Sequence, residues 1–203
     1  GNLKNLADID KSKYKFVKGN ICDKKIISLI ENEKPDVIVN FAAESHVDRS
    51  IEDAYTFYDT NAGGVLNILE AMRRLESKAR YVQISTDECF GSADDGKPFT
   101  EKSLLKPSSP YSASKASGEM ITMAYGRTYG LDVVITRSSN NYGPYQFPEK
   151  LIPLTVINAL ECRSLPVYGN GSQIRDWLFV EDHVRALWEI LTRGRLGEKY
   201  NVG

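Results

Sequence analysis

The sequence predicts an α/β fold, a doubly wound and largely parallel sheet with a smaller lobe beside it. Two observations carry this expectation. Short apolar runs alternate with segments of helical periodicity along most of the chain. The stretches between successive apolar runs are also long enough for the crossover helices that parallel strands require.

Residues 14–17 (Tyr-Lys-Phe-Val) read as a strand. Residues 24–33 put Ile26, Ile27, Leu29 and Ile30 at helical spacing, and Pro35 ends that helix. Residues 36–41 (Asp-Val-Ile-Val-Asn-Phe) form a continuous apolar strand of the kind that is covered on both faces. Residues 48–77 are mostly helical, with a break expected at Gly63-Gly64, and residues 80–85 are the next strand. Glycine, proline, serine and charges make 91–110 a loop. Residues 111–129 form a helix that Gly130 stops, and 131–136 form a strand. Beyond Arg137 the pattern changes. Residues 140–148 are aromatic and rich in turn formers, 148–162 look helical, and 165–171 read as a short strand and a turn. Asp182-His183 is expected to cap a helix over 182–191, and 199–202 starts as a strand.

The rhythm is that of a Rossmann-like dinucleotide fold, which begins with a strand, a glycine-rich turn and a helix. No such glycine motif occurs here. The chain therefore opens on what reads as the loop after a second strand, and about 30 to 40 residues of a front unit are expected ahead of it. Residues 1–137 are expected to form the dinucleotide domain without that unit, 138–174 a substrate lobe, and 175–203 a return to the first domain.

Composition narrows the function. The chain has 203 residues, enough for one core or for one domain and part of a second. A formal net charge of −1 leaves no basic field for nucleic acid. No apolar run approaches the roughly 20 residues of a membrane helix, and Gly1-Asn2-Leu3-Lys4 is no apolar leader. Cys22, Cys89 and Cys162 form neither a close pair nor a disulfide ladder, so a reducing, cytoplasmic setting is expected. Two histidines, His46 and His183, make a His-rich metal site unexpected, and no metal is assigned.

The chemistry-bearing residues start with Tyr111 and Lys115, four apart and so on one face of their helix. A tyrosine acts as a base only if its pKa falls from about 10, which a nearby ammonium favours. The spacing alone is common; Tyr14 and Lys18 share it on an expected strand. What singles out Tyr111 is a preceding strand that ends in Ser85-Thr86. Asp87 and Glu88 follow directly, and an acid/base carboxyl pair needs two different environments. Adjacent residues leaving a strand can point to different sides.

Together Ser85-Thr-Asp-Glu-Cys-Phe-Gly91, Pro110-Tyr-Ser-Ala-Ser-Lys-Ala-Ser117, Asn140-Asn-Tyr-Gly-Pro144 and Ile174-Arg-Asp-Trp177 resemble the motifs of the extended short-chain dehydrogenase/reductase family. Ala42-Ala-Glu-Ser-His-Val-Asp-Arg-Ser50 and Phe147-Pro-Glu-Lys-Leu-Ile-Pro153 extend the likeness, which is greatest to its dTDP-glucose 4,6-dehydratase branch. The resemblance implies a bound NAD and a nucleotide-sugar substrate, dTDP-glucose. It implies Tyr111, Lys115 and Thr86 at the oxidation of C4, Glu88 as the base at C5 and Asp87 as the acid at the C6 hydroxyl. It implies cofactor contacts from Asn20, Ile21, Phe41, Ala42, Ala43, Glu44, Ser45, Thr60, Tyr111, Lys115 and Asn141. Asn20 stands where the branch usually has aspartate, which weakens that adenine contact. For the nucleotide-sugar it implies Ser45, Thr86, Asn140, Lys150, Leu151, Pro166, Tyr168 and Arg175, the two cations suiting a diphosphate. It also implies a homodimer built on the helices over 48–77 and 111–129. His46 is expected to be a satisfied structural histidine, with orientation of the loop by His46 and Arg49 as the alternative, and Cys89 is expected to be an inert thiol. Related 4-epimerases and decarboxylases share the Tyr-Lys pair but need no Asp-Glu pair. A non-catalytic nucleotide-binding scaffold is the alternative from another class.

Overall fold

A computed structural model describes residues 2–74, 79–93, 96–167 and 169–203. Helix α1 (Lys25–Glu33) precedes strand β1 (Val37–Asn40), and helices α2 (Val47–Glu52), α3 (Ala54–Tyr58) and α4 (Val65–Arg74) precede β2 (Arg80–Thr86). Helix α5 (Pro110–Tyr129) leads to β3 (Val133–Ser138) and β4 (Asn140–Tyr142). Helix α6 (Leu151–Leu160), β5 (Trp177–Phe179), α7 (Val180–Arg193) and β6 (Lys199–Val202) follow. The main sheet has the order β1-β2-β3-β6, and every pairing in it is parallel.

The alternation of strand side chains divides the core between two faces. Tyr81 and Val133 face a cluster with Ile30, Val65, Ile68, Leu69 and Met72, supplied by α1 and α4. Val82 and Ile84 turn the other way and pack on Leu187 of α7. Fully burying a side chain such as Leu69 contributes about 1.5–3 kcal/mol. The doubly wound arrangement follows from these two packed faces.

Four expectations are corrected. Residues 14–17 pair with no strand among the described residues, and Phe16 and Val17 lie exposed. An extended run without a ladder partner has nothing to satisfy its backbone but water. The helical stretch from residue 48 does not break at Gly63-Gly64. It breaks at Asp53, whose carboxylate accepts from the Thr56 amide at 3.2 Å, and Asp59–Gly64 is a π-helical turn continuous with α4. The part of that stretch at 75–78 lies outside the described residues. Residues 165–167 form no strand; the small second sheet is instead β4 paired in parallel with β5, two runs of three residues too short to show a period. Asp182-His183 caps nothing, because α7 starts at Val180, and His183 is buried within it. Among the described residues no helix is long and apolar enough to cross a membrane.

Candidate active site

The site grows from the carboxyl end of β2. Thr86 caps a 3-10 turn, Asp87–Phe90, its hydroxyl accepting from the Glu88 amide at 3.3 Å and donating to Asp87 Oδ1 at 3.2 Å. Gly91 closes the turn at φ +80°, where a side chain is strained and a Cβ would collide with the Lys106 carbonyl oxygen. Cys89 and Phe90 point inward and are buried, so Asp87 and Glu88 are left half-buried at the surface of the turn.

Helix α5 brings the second pair of groups. Ser109 and Ser112 form a capping box, and Pro110 fills the first helical position. The Tyr111 amide donates to Ser50 Oγ at 3.1 Å, and the Lys115 ammonium donates to the Ile84 carbonyl at 2.7 Å. Both side chains are buried. Gly118 lets the helix approach the π-helical turn, since a Cβ there would lie 2.5 Å from the Asn61 carbonyl oxygen. Asn61 uses that closeness: its amide donates to Ser114 Oγ at 2.9 Å and to the Glu44 carbonyl at 3.0 Å, and its Oδ1 accepts from the Glu44 amide at 2.9 Å. The segment after β1 is thereby fastened to α5.

Burial pushes both turn carboxyls up. For Asp87 the Thr86 hydroxyl, backbone amides and Arg175 work in the opposite direction. For Glu88 the Asp87 charge adds to the rise, while Arg175 and Lys150 oppose it. The two environments therefore differ in the kind of compensation, mainly hydrogen bonds with one cation for Asp87 and cations alone for Glu88. Burial, then the Glu88 and Cys89 charges, hold the Tyr111 phenol above its ordinary value, with only the Thr86 hydroxyl acting downward. The expectation that Lys115 by itself draws the phenol down is not met. Lys115 is brought down to about 8, by burial, against the pull of Cys89 and Glu119. Burial takes the Cys89 thiol up to about 12, which leaves it inert at neutral pH.

An open cleft of about 800 Å³ is lined by Asp87, Glu88, Asn140, Arg175 and the flanking loop with Phe99 and Ser108. Lys150 stands outside that lining, tying the loop after β1 to the segment before α6 by a bond to the Ser45 carbonyl at 3.2 Å. Arg49 reinforces the tie through Glu149 at 3.3 Å, and His46 Nδ1 has no hydrogen-bond partner among the described residues. Leu151, at the first turn of α6, and Pro166 do not line the cleft. Tyr168 lies outside the described residues. Phe41 and Ala42 leave the end of β1 exposed, and Ala43 and Ser45 follow them. Asn20, Ile21 and Thr60 meet elsewhere. The Asn67 amide holds the Ile21 carbonyl at 3.1 Å, the Cys22 thiol is 3.9 Å from Thr60 Oγ1, and Asn20 Oδ1 accepts from the Cys22 amide at 3.0 Å. Asn141 lies at β4, its amide on the Ser139 carbonyl at 3.0 Å and its Oδ1 buried without a partner among the described residues. Among those residues no group of three His, Cys, Asp or Glu could hold a metal ion.

Sequence reading missed Ser50, Asn61, Glu119 and Arg137. Arg137 carried a usable signal, a charge directly following the apolar strand expected over 131–136, because such a residue is buried only when paired. The other three announce themselves only through partners distant in sequence.

The chain is similar to known proteins over its whole length. The family profile described as GDP-mannose 4,6 dehydratase matches residues 1–203. A probable dTDP-glucose 4,6-dehydratase of Sinorhizobium fredii is 50% identical over 213 residues, covering 100% of this chain and 61% of the relative. A dTDP-glucose 4,6-dehydratase of Streptomyces venezuelae, crystallised with NAD bound, superposes with a TM-score of 0.95 at 48% identity, covering 100% of this chain and 62% of that one. A UDP-glucuronic acid 4-epimerase of Bacillus cereus, in complex with UDP-glucuronic acid and NAD, gives a TM-score of 0.90 at 26% identity, covering 99% and 63%. The chain spans about three fifths of the length of the curated relatives it matches.

Proposed function

The chain belongs to the GDP-mannose 4,6 dehydratase family, and on that premise we propose that its protein is an NAD-dependent hydro-lyase that converts dTDP-glucose to the 4-keto-6-deoxy sugar. The observation that carries the reading is the Asp87–Glu88 pair, half-buried in the wall of one cleft, electrostatically coupled to Tyr111 and flanked by Arg175. A 4-epimerase leaves such a pair without work. The relatives named for dTDP-glucose, at about half of all positions identical, support that substrate over the GDP-sugar in the family's description.

The residues present fit NAD. Three parallel strands end side by side, Phe41 and Ala42 stand open after β1, and the buried Asn141 Oδ1 offers an acceptor. In this reading Phe41 to Ser45, Tyr111, Lys115 and Asn141 lie along the nicotinamide half, and Asn20, Ile21 and Thr60 toward the adenine. Bound there, NAD would supply the hydride acceptor for C4 and, once reduced, the hydride donor for C6. Tyr111 accepts the O4 proton in its phenolate form, which the positive charge of a bound NAD would favour. Glu88 then removes the C5 proton, which the new 4-keto group has acidified. Lys150 and Arg175 favour its carboxylate form. Asp87 protonates the departing C6 hydroxyl, so that water leaves. Arg175 and Lys150 also meet the diphosphate, and Asn140 the sugar. Residues 138–174, with Leu151, Pro166 and Tyr168, form the substrate lobe.

We also propose a homodimer. Ile51, Tyr55 and Tyr58 on α2 and α3 and Met120 on α5 are exposed, an apolar surface that a second copy would cover. The free cysteines support a reducing, cytoplasmic setting.

The direct test is an assay of the full-length protein against dTDP-, UDP- and GDP-glucose and GDP-mannose. The 4-keto-6-deoxy product is expected from the dTDP sugar, and a C4-epimerised product would overturn the proposal.

A second test uses Lys115. Its folded value of about 8 lies below the ordinary 10.5, so the folded state binds fewer protons between those limits and stability rises with pH across that window. Below the window the charged, buried lysine costs on the order of 3 kcal/mol. Lys115→Met is therefore expected to melt a few degrees higher at pH 7, the gain shrinking toward pH 10, while C4 oxidation is lost. The Ile84 carbonyl keeps the Gln83 amide as a donor. A melting point at or below the parental one at pH 7 would contradict the stated cost.

A further inference from the structure

Beneath the cleft, outside its lining, lies a buried ion pair that the reaction described above does not use. Glu119 and Arg137 have side chains only 1% and 3% exposed. The guanidinium forks onto the carboxylate, Nε at 3.1 and 3.0 Å from the two oxygens and Nη2 at 2.6 Å from Oε2. Its Nη1 is buried and has no hydrogen-bond partner among the described residues. A buried pair with an unmatched donor is a poor source of stability, since desolvation offsets most of the attraction. What the pair holds in place is more telling.

It grips the turn that carries Asp87 and Glu88 from both ends. On the near side Ser85 Oγ donates to Glu119 Oε1 at 2.6 Å, and Ser85 is also the register partner of Arg137 in the sheet. On the far side the Arg137 guanidinium carbon lies 4.8 Å from the centre of the Phe90 ring, and Phe90 stacks on Phe99, which lines the cleft. Glu119 stands on α5 four residues beyond Lys115 and eight beyond Tyr111, on the same helical face. The ion pair thus joins the helix bearing the phenol and ammonium to the turn bearing the carboxyls.

From this geometry we infer that Glu119 and Arg137 are positioning residues that set the Asp87–Glu88 turn against Tyr111 and Lys115, and that they act on the loss of water, not on binding or C4 oxidation. The inference rests on the dehydratase reading above. Tyr111 and Lys115 keep their own anchors, Ser50 and the Ile84 carbonyl, so loosening the turn leaves them in place; the Glu119 charge also favours the Lys115 ammonium, and Ser85→Ala keeps that charge while loosening the turn. A displacement near 1 Å of an acid or base costs up to about a hundredfold in rate.

The test is a double variant of the full-length protein, Glu119→Leu with Arg137→Met, which removes both charges while keeping the volume filled. The steady-state rate of product formation is expected to fall about tenfold or more. KM for dTDP-glucose and the single-turnover rate of NADH formation should stay within about twofold, so that NADH accumulates. Product formation at the parental rate would overturn the inference. So would a loss shared equally by NADH formation and product, which marks a merely structural role. If the double variant does not fold, Ser85→Ala carries the test, since it leaves the pair intact and cuts its tie to β2. The same partition is expected from Ser85→Ala, with Ser85→Thr restoring it; an unchanged partition in Ser85→Ala overturns the inference. A parental protein that makes no product from dTDP-glucose defeats the dehydratase reading, whereas an active parent with indifferent variants defeats only the positioning role.

Discussion

Full-length protein carrying Glu88→Gln is expected to reduce its NAD to NADH when mixed with dTDP-glucose, and then to stall. The amide cannot take the C5 proton, so elimination should fall by about 10²–10⁴, the range a positioned acid or base contributes. In the proposed reaction oxidation of C4 precedes that step and uses Tyr111, so the NADH absorbance should rise and persist. Solvent deuterium should fail to enter at C5. Glutamine also removes one of the charges that hold the Tyr111 phenol up, so the oxidation limb of the pH profile should move to lower pH. Dehydration at the parental rate would remove Glu88 from the mechanism. Asp87→Asn separates the two carboxyls: it should allow C5 exchange with solvent while water loss stays slow.

The second large effect belongs to Tyr111→Phe. Here the block comes earlier, and single-turnover NADH formation itself should slow by about 10²–10⁴. Binding should be preserved, because the ring that packs edge-on against Phe57 at 6.3 Å is retained and only the hydroxyl goes. At pH 7 the free enzyme's phenol is protonated both folded and unfolded, so its titration adds nothing to the stability difference between parent and variant. Unchanged NADH formation would refute the role given to the phenol. The contrast between the two variants, one stalled before hydride transfer and one after, tests the order of steps as well as the residues.

Much of this protein was legible without coordinates, because its signals are local. Hydrophobic period and punctuation by Pro35 and Gly130 located the helices α1 and α5 and the strands β1 to β3. The clustering of Thr86, Asp87 and Glu88 at a strand end, and of Tyr111 and Lys115 at the head of a helix, needed only neighbours in sequence. The misreadings have the opposite character. Residues 14–17 have the composition of a strand, but a strand exists only when a ladder partner lies beside it. The β4–β5 sheet was invisible because its two halves stand about 35 residues apart and span three residues each. The break at Asp53 was missed because a capping side chain outweighed the two glycines downstream.

The site divides in the same way. Chain order alone determined which groups could do acid–base chemistry, since side-chain type and helical spacing are properties of the sequence itself. Tertiary structure decided their state. Burial brought Lys115 to about 8 and raised both turn carboxyls, and only packing reveals that Lys115 spends a donor on the Ile84 carbonyl. It also decided that Glu119 meets Arg137 and Ser85, and that Asn61 fastens Glu44 to α5. Desolvation and hydrogen bonding depend on what surrounds a group in space, and residues 17 to 53 positions apart become neighbours only once the sheet and its helices have closed on one another.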